Sequence, residues 1–266
     1  MKNFLQDIIA LKRKEIEALK AKRPITEFVD SKRLLRGIRP FKKAISSGDG
    51  LNLIAEIKKK SPSFGRNFFR KLDITGIANI YKTEGAKAMS VLTDKKFFSG
   101  SILHMNEVKR SVDLPVLRKD FIIDEYQVYE SRYFGADAIL LIARILSVDE
   151  IKSFMHLAKR INMDVIVEIH DENDLKKALL SSPDIIGVNN RDLDTLEVSI
   201  EKTLKLIPKI PQEIITVSES GISSNEDIKK IREIGVNAVL IGAAFLESGD
   251  IAARVREVMG PSPHEA

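Results

Sequence analysis

A closed (β/α)8 TIM barrel is the fold that this chain of 266 residues predicts, and three observations carry the expectation. Eight short apolar, β-branched runs recur along the sequence. Amphipathic segments with helical spacing separate them, and glycines at the ends of several segments return the chain at once to the next run. Repeated strand-helix units imply parallel strands joined by right-handed crossovers. Eight such units in roughly 200 residues suit a closed barrel, typically ~250 residues in all, better than an open doubly wound sheet. The first run also lacks the G-x-G-x-x-G turn of a dinucleotide-binding sheet.

The strand candidates are, in order, "NLIAEIK" (52–58), "AMSVLT" (88–93), "PVLRKDF" (115–121), "AILLIA" (138–143), "DVIVEIH" (164–170), "IIGVNNR" (185–191), "EIITVSES" (213–220) and "AVLIGAAF" (238–245). Helical spacing shows in Ile151, Phe154, Met155, Ala158 and Ile161, and in Ile228, Ile231 and Ile234 with Lys229, Lys230 and Arg232 outside. Capping residues open several segments: Ser147, Ser224-Asn225 and His170-Asp171. Gly85, Gly135 and Gly235 close others. Some fifty residues precede the first strand. They hold an amphipathic segment, 3–22, with Leu5, Ile8, Ile9, Ile16 and Leu19 on one side, then Pro24, a second helical stretch around 25–36, and "SSGDG". Acids interrupt the basic face of the first segment, which favours a helical cap over one end of the barrel rather than a membrane-surface helix. The expected organisation is one TIM-barrel domain over 1–266, with an extension at 1–50, the barrel at 51–258 and a frayed tail at 259–266.

Composition narrows the function classes. The 43 Lys+Arg against 38 Asp+Glu give a charge of +5, but basic residues stand beside acids, as in Lys12-Arg13-Lys14-Glu15. Charge spread in this way disfavours nucleic acid as a partner and suits a small anionic ligand. The absence of cysteine excludes disulfides, thiolate nucleophiles and cysteine-ligated metals. No secretory signal or apolar run of ~18 residues stands out, so no membrane partner and a cytoplasmic setting are the expectation. The four histidines have no metal-site spacing, and His170 beside Asp171 reads as a helix start.

In this fold the C-terminal ends of the strands carry the chemistry. Strand 1 ends in Glu56 and Lys58, strand 3 in Lys119, strand 5 in Glu168, strand 6 in Asn189 and Arg191, strand 7 in Ser218, Glu219 and Ser220, and strand 8 in Gly242. Residues two apart share a face. Glu56 therefore points with Lys58 and Asn189 with Arg191, while Lys119 has the parity of Leu117, leaving Arg118 and Asp120 to point outward to the helix layer as an ion pair. One such charge alone is an ordinary solvated strand end. Two lysines, two glutamates, an asparagine and an arginine at one mouth are too much charge for a stability core, and proximity there would perturb their pKa values. Gly221 and Gly242, each with helical sequence following, stand where this fold commonly binds phosphate, so a phosphorylated substrate is expected. The run from Lys58 to Lys60 before "SPSFGRNFFRK" suggests a lid over an anionic substrate.

With these residues in place, the sequence resembles the indole-3-glycerol phosphate synthase family of the tryptophan pathway. The motifs are "IAEIKKKSPS", "SVLTDKKFFSGS", "VLRKDFIID", "GADAILLIARIL", "VEIHDENDL", "IGVNNRDLDTLE", "VSESGI" and "VLIGAAF", and they span nearly the whole chain. The resemblance implies a lyase of tryptophan biosynthesis, needing no metal or cofactor. It converts 1-(2-carboxyphenylamino)-1-deoxyribulose 5-phosphate to indole-3-glycerol phosphate with loss of carbon dioxide and water. It further implies Lys119 as the acid for ring closure, Glu168 as its acid/base partner, Glu56 and Lys58 as paired catalytic positions, and Asn189 as a holder of the catalytic groups and a substrate hydroxyl. Arg191 and Ser61 would hold the anthranilate carboxylate, and Phe98, Leu140 and Leu193 would wall the aromatic ring. Ser220, included among the catalytic positions, would join Gly221, Gly242 and Ala243 at the phosphate. A serine is frequent in the family where Ala243 stands here, so one hydroxyl contact, on the order of 1 kcal/mol, is expected to be lost. A related isomerase acting on phosphoribosylanthranilate shares the barrel and phosphate site but uses a cysteine base; a silent phosphate-binding barrel would not retain every acid and base. Docking with other enzymes of the pathway remains open at this level.

Overall fold

The computed structural model describes residues 4–35, 37–48, 50–59, 73–192, 195 and 197–260. Eight parallel strands close into a barrel in sequence order: β1 Asn52–Ile57, β2 Ala88–Leu92, β3 Val116–Lys119, β4 Ala138–Ile142, β5 Asp164–Ile169, β6 Ile185–Asn189, β7 Ile215–Glu219 and β8 Ala238–Ile241. Closure is made by β1 against β8, with Ile54 opposite Leu240. Each of the eight apolar runs forms its strand, but several pair over fewer residues than their apolar length. The run 115–121 leaves the ladder after Lys119, where the Asp120 carboxylate accepts the next N–H, that of Phe121, at 2.8 Å. The run 238–245 stops at Ile241, and Gly242 caps a short helix, Ala243–Leu246.

Alternation along the strands divides the apolar residues into two clusters. Ile54, Ala88, Leu117, Ala138, Leu140, Ile166, Ile185, Val217, Ala238 and Leu240 fill the barrel interior. Their neighbours of opposite parity, among them Leu53, Met89, Val116, Ile139, Val167, Val188 and Val239, pack under the surrounding helices. Helix starts behave as the capping residues predict: Ser147 and Ser224 form reciprocal capping boxes with Glu150 and Asp227, and Asp171 accepts the N–H groups of Asn173 and Asp174. Gly85, Gly135 and Gly235 all take positive φ at the helix ends.

The N-terminal extension covers both ends of the barrel, not one. Helix α1, Phe4–Lys22, reaches over the C-terminal ends of the strands, where Leu5 and Ile8 join the interior cluster. Helix Phe41–Ser46 closes the opposite end with Phe41 and Ile45. It is fixed there because the Lys42 N–H donates to Asp164 Oδ2 at 2.7 Å and the Asn52 side-chain amide donates to the Ile45 carbonyl at 3.1 Å. One residue of the expected apolar face departs: Leu19 is exposed, because the packed stripe of α1 ends at Ile16, which meets Phe28 and Tyr126. The stretch expected around 25–36 is a short helix, Thr26–Val29, and a 3-10 turn, Lys32–Leu35. The basic segment after β1 lies, from Lys60 onward, outside the described residues.

Candidate active site

Strand parity brings the charged strand ends to one mouth. Glu56, Lys58, Lys119, Glu168, Asn189, Arg191, Ser220, Gly221, Gly242 and Ala243 line a single pocket, with Phe98 and Leu140 among its apolar walls. Leu5 and Ile8 of α1 complete that wall. Ser61 and Leu193 lie outside the described residues. Asn190, of opposite parity to Asn189, turns away and bonds Ser218 and Thr203 behind the strands.

Lys119 stands at the centre. Its ammonium pairs with Glu219 and lies 3.6 Å from Glu168 Oε2. Burial alone would lower the Lys119 pKa, but the Glu219, Glu168 and Glu56 carboxylates outweigh burial and raise it above the ordinary lysine value. Beside it, Lys58 Nζ is 2.8 Å from Glu56 Oε1. Burial would raise Glu56, yet Lys58 and Lys119, with Arg191 behind them, hold its carboxyl below the usual glutamate range.

Glu219 also faces this mouth, through its pairing with Lys119. It stands at the end of strand 7 beside Ser220, with the parity of the interior Val217. Alternation along β7 is the signal for that direction. It is completely buried, and Gly187 on the adjacent strand makes room, since a Cβ there would collide with Glu219 Oε1. Burial, with Glu168 and Glu56 nearby, pushes its pKa up to about 7 against the opposing pull of Lys119. The mouth thus holds an ammonium that stays charged at neutral pH next to a carboxyl that exchanges a proton near pH 7.

The expected pairing of Arg118 with Asp120 is present at 3.0 Å, and Arg118 also reaches Glu130 on helix Glu125–Tyr133 at 2.9 Å. Asp120 does not face the helix layer alone. It also meets Lys12 of α1 at 3.1 Å, because it stands one residue beyond the strand, where the chain turns towards the mouth. Lys12 Nζ is 2.7 Å from Asp94, whose other oxygen caps the short helix Lys95–Phe98. That helix carries Phe98, which faces Phe121 across the wall with ring centroids 6.5 Å apart. On the opposite side, Ser220 and Gly221 both take left-handed backbone, φ 65° and 75°, and turn the chain sharply after β7.

A family model described as indole-3-glycerol phosphate synthase matches residues 5–258. The chain belongs to the indole-3-glycerol phosphate synthase family. Curated relatives agree with that membership. The indole-3-glycerol phosphate synthase of Caldanaerobacter subterraneus subsp. tengcongensis is 44% identical over 259 residues, 97% of this chain and 99% of the relative. That of Polaromonas naphthalenivorans is 44% identical over 265 residues, 98% and 100% of the two chains. Among solved structures, 3-hexulose-6-phosphate synthase from Salmonella typhimurium superposes with a TM-score of 0.64 at 15% identity, covering 78% of this chain and 96% of that one. At that identity the likeness is one of fold.

Proposed function

We propose that this chain is a carboxy-lyase of tryptophan biosynthesis. It closes the indole ring of 1-(2-carboxyphenylamino)-1-deoxyribulose 5-phosphate to give indole-3-glycerol phosphate, carbon dioxide and water. The observation that carries this reading is the Lys119 ammonium, held charged among Glu219, Glu168 and Glu56 in a pocket with apolar walls. Attack of an aromatic carbon on a ketone needs an acid at the carbonyl oxygen, and a buried ammonium both donates a proton there and stabilises the developing charge.

Lys119 is accordingly the acid for ring closure, and Glu168, 3.6 Å from it, takes the ring proton and helps water leave. The Glu56–Lys58 pair supplies the second acid and base of the later steps. Asn189 orients the catalytic groups and a substrate hydroxyl. Arg191 and Ser61 hold the anthranilate carboxylate against the walls made by Phe98, Leu140 and Leu193. Ser220, Gly221, Gly242 and Ala243 receive the phosphate at the turns after β7 and β8. Glu219 joins this set as the group that holds Lys119 in place. The same reading has the chain act in the cytoplasm, and sedimentation of a mixture with a neighbouring enzyme of its pathway decides by mass whether the two dock.

The test is direct. Purified protein and the carboxyphenylamino-deoxyribulose phosphate, with no added metal, should develop indole fluorescence, and Lys119→Ala should slow it by on the order of 10²- to 10⁴-fold. No product refutes the assignment, and parent-rate product from the variant refutes the role of the lysine.

A further inference from the structure

Among the described histidines, His170 alone is buried. It follows Glu168 by two residues and so emerges on the same side of the chain. Its imidazole stands between two carboxylates: Nε2 is 3.3 Å from Glu168 Oε1, and Nδ1 is 3.4 Å from Asp174 Oδ2. Asp174 lies in the first turn of helix Glu172–Ser181. Its Oδ2 also accepts the His170 backbone N–H at 3.0 Å and faces Arg144 Nε at 3.5 Å. Neither buried ring nitrogen makes a hydrogen bond, and these two carboxylate oxygens stand 3.3 and 3.4 Å from them without the alignment of one. A buried imidazole nitrogen left without a hydrogen bond is costly, so a small rotation of the ring or of the Glu168 carboxylate that closes this contact is favoured.

The two oxygens of Glu168 are thereby distinguished. Oε1 is turned to the ring, while Oε2 is buried without a hydrogen-bond partner and faces Lys119 Nζ at 3.6 Å. We propose that His170 is a positioning residue. Held from its far side by Asp174, it fixes the Glu168 carboxylate through Oε1 and so presents Oε2 to Lys119 and the reacting atoms. The proposal rests on the role given to Glu168 above.

Steady-state kinetics of the parent, His170→Leu, His170→Gln, Glu168→Gln and the His170→Leu/Glu168→Gln double variant test it. His170→Leu should lower kcat by on the order of tenfold while KM stays within about twofold, because substrate binding is untouched. His170→Gln, whose amide can donate to Oε1, should recover most of the loss. In the Glu168→Gln background the leucine should have no further effect, since the group it acts through is already removed. Parent kcat in His170→Leu overturns the proposal, as does an equal fall in both backgrounds or an effect confined to KM. If His170→Leu does not fold, His170→Asn replaces it: that shorter amide does not reach Oε1, so a rate equal to that of His170→Gln overturns the proposal. Parent-rate turnover by Glu168→Gln removes the role of Glu168 and this proposal with it. Failure of the proposal alone leaves Glu168→Gln slow, so the two are told apart.

Discussion

Glu219 makes the stability of the fold depend on pH in a direction opposite to that of an ordinary salt-bridged carboxylate. In the unfolded chain it ionises near 4.5, whereas burial in the barrel moves that ionisation up to about 7. Between those values the folded protein keeps a proton that the unfolded chain has released, so the stabilisation is full below 4.5 and is lost as pH rises through 7. The interval from 4.5 to about 7 spans about 2.5 pH units, and at about 1.4 kcal/mol per unit the loss is on the order of 3 kcal/mol. Glu219→Gln removes the titration while keeping the volume and an oxygen for Lys119. Urea unfolding followed by far-UV circular dichroism at pH 5, 6, 7 and 8 gives the free energy of parent and variant. The parent should lose stability relative to the variant by about 2 to 3 kcal/mol over that range, most of it before pH 7. In the parent, Glu219, Glu168 and Glu56 hold Lys119 above the ordinary lysine value, so it does not titrate in the window. A parent-minus-variant difference that is flat, or that rises with pH, refutes the argument that burial outweighs the lysine.

Three further outcomes follow from contacts around the mouth. Lys12→Met leaves Asp94 and Asp120 facing each other without their shared ammonium; Asp120 keeps Arg118, so the expected loss is at the low end for a broken buried pair, about 3 kcal/mol, read as a lower thermal midpoint. Gly242→Ala puts a Cβ 2.6 Å from Glu56 Oε1 and 2.8 Å from Glu56 Cβ, so Glu56 must move away from Lys58; turnover should fall at least tenfold on the proposed mechanism, measured by indole fluorescence. Ala243→Ser should lower KM by up to about fivefold, the equivalent of about 1 kcal/mol, if the turn after β8 holds the substrate phosphate.

The sequence made the barrel legible because its information is local and repeated. Each β-branched run, each cap such as Ser147 and each glycine stop such as Gly135 is decided within a few residues, and closure then follows from the number of units. The parity of Glu56, Lys58, Lys119, Glu168 and Asn189 was equally legible, since alternation is fixed once the strand is known. Ile54, Leu117, Ile166 and Ile185, the residues that share that parity, all lie in the barrel interior. Three things were not legible. The path of the N-terminal extension to both ends depends on partners about a hundred residues away, such as Asp164 for the Lys42 N–H. The need of Glu219 for the space above Gly187 is set by register across two strands. The link from Glu168 to His170 and Asp174 depends on how the chain turns out of β5 into the next helix. Each is a tertiary fact to which local spacing gives no access.

The charges that end β3 show how the extension and the chemistry are joined. Arg118, Lys119 and Asp120 crowd one short segment, and strand geometry sends them to three different places. Arg118 turns under the helix Glu125–Tyr133 and is neutralised there by Glu130, while Lys119 turns inward to Glu219. Asp120, just past the strand, receives Arg118 at 3.0 Å and Lys12 of α1 at 3.1 Å. A shift of α1 therefore acts on the residue adjacent to Lys119, and through Asp94 on the short helix that carries Phe98. The ion pairs carry such a shift directly, since Lys12, Arg118, Asp120 and Glu130 line a cavity beside them rather than a close-packed layer. Loosening Lys12 should then impair turnover as well as stability, although Lys12 touches none of the groups to which the chemistry is assigned. Lys12→Met tested well below its thermal midpoint separates the two effects. A kcat equal to the parent's under those conditions would show that α1 covers the mouth without helping to shape it.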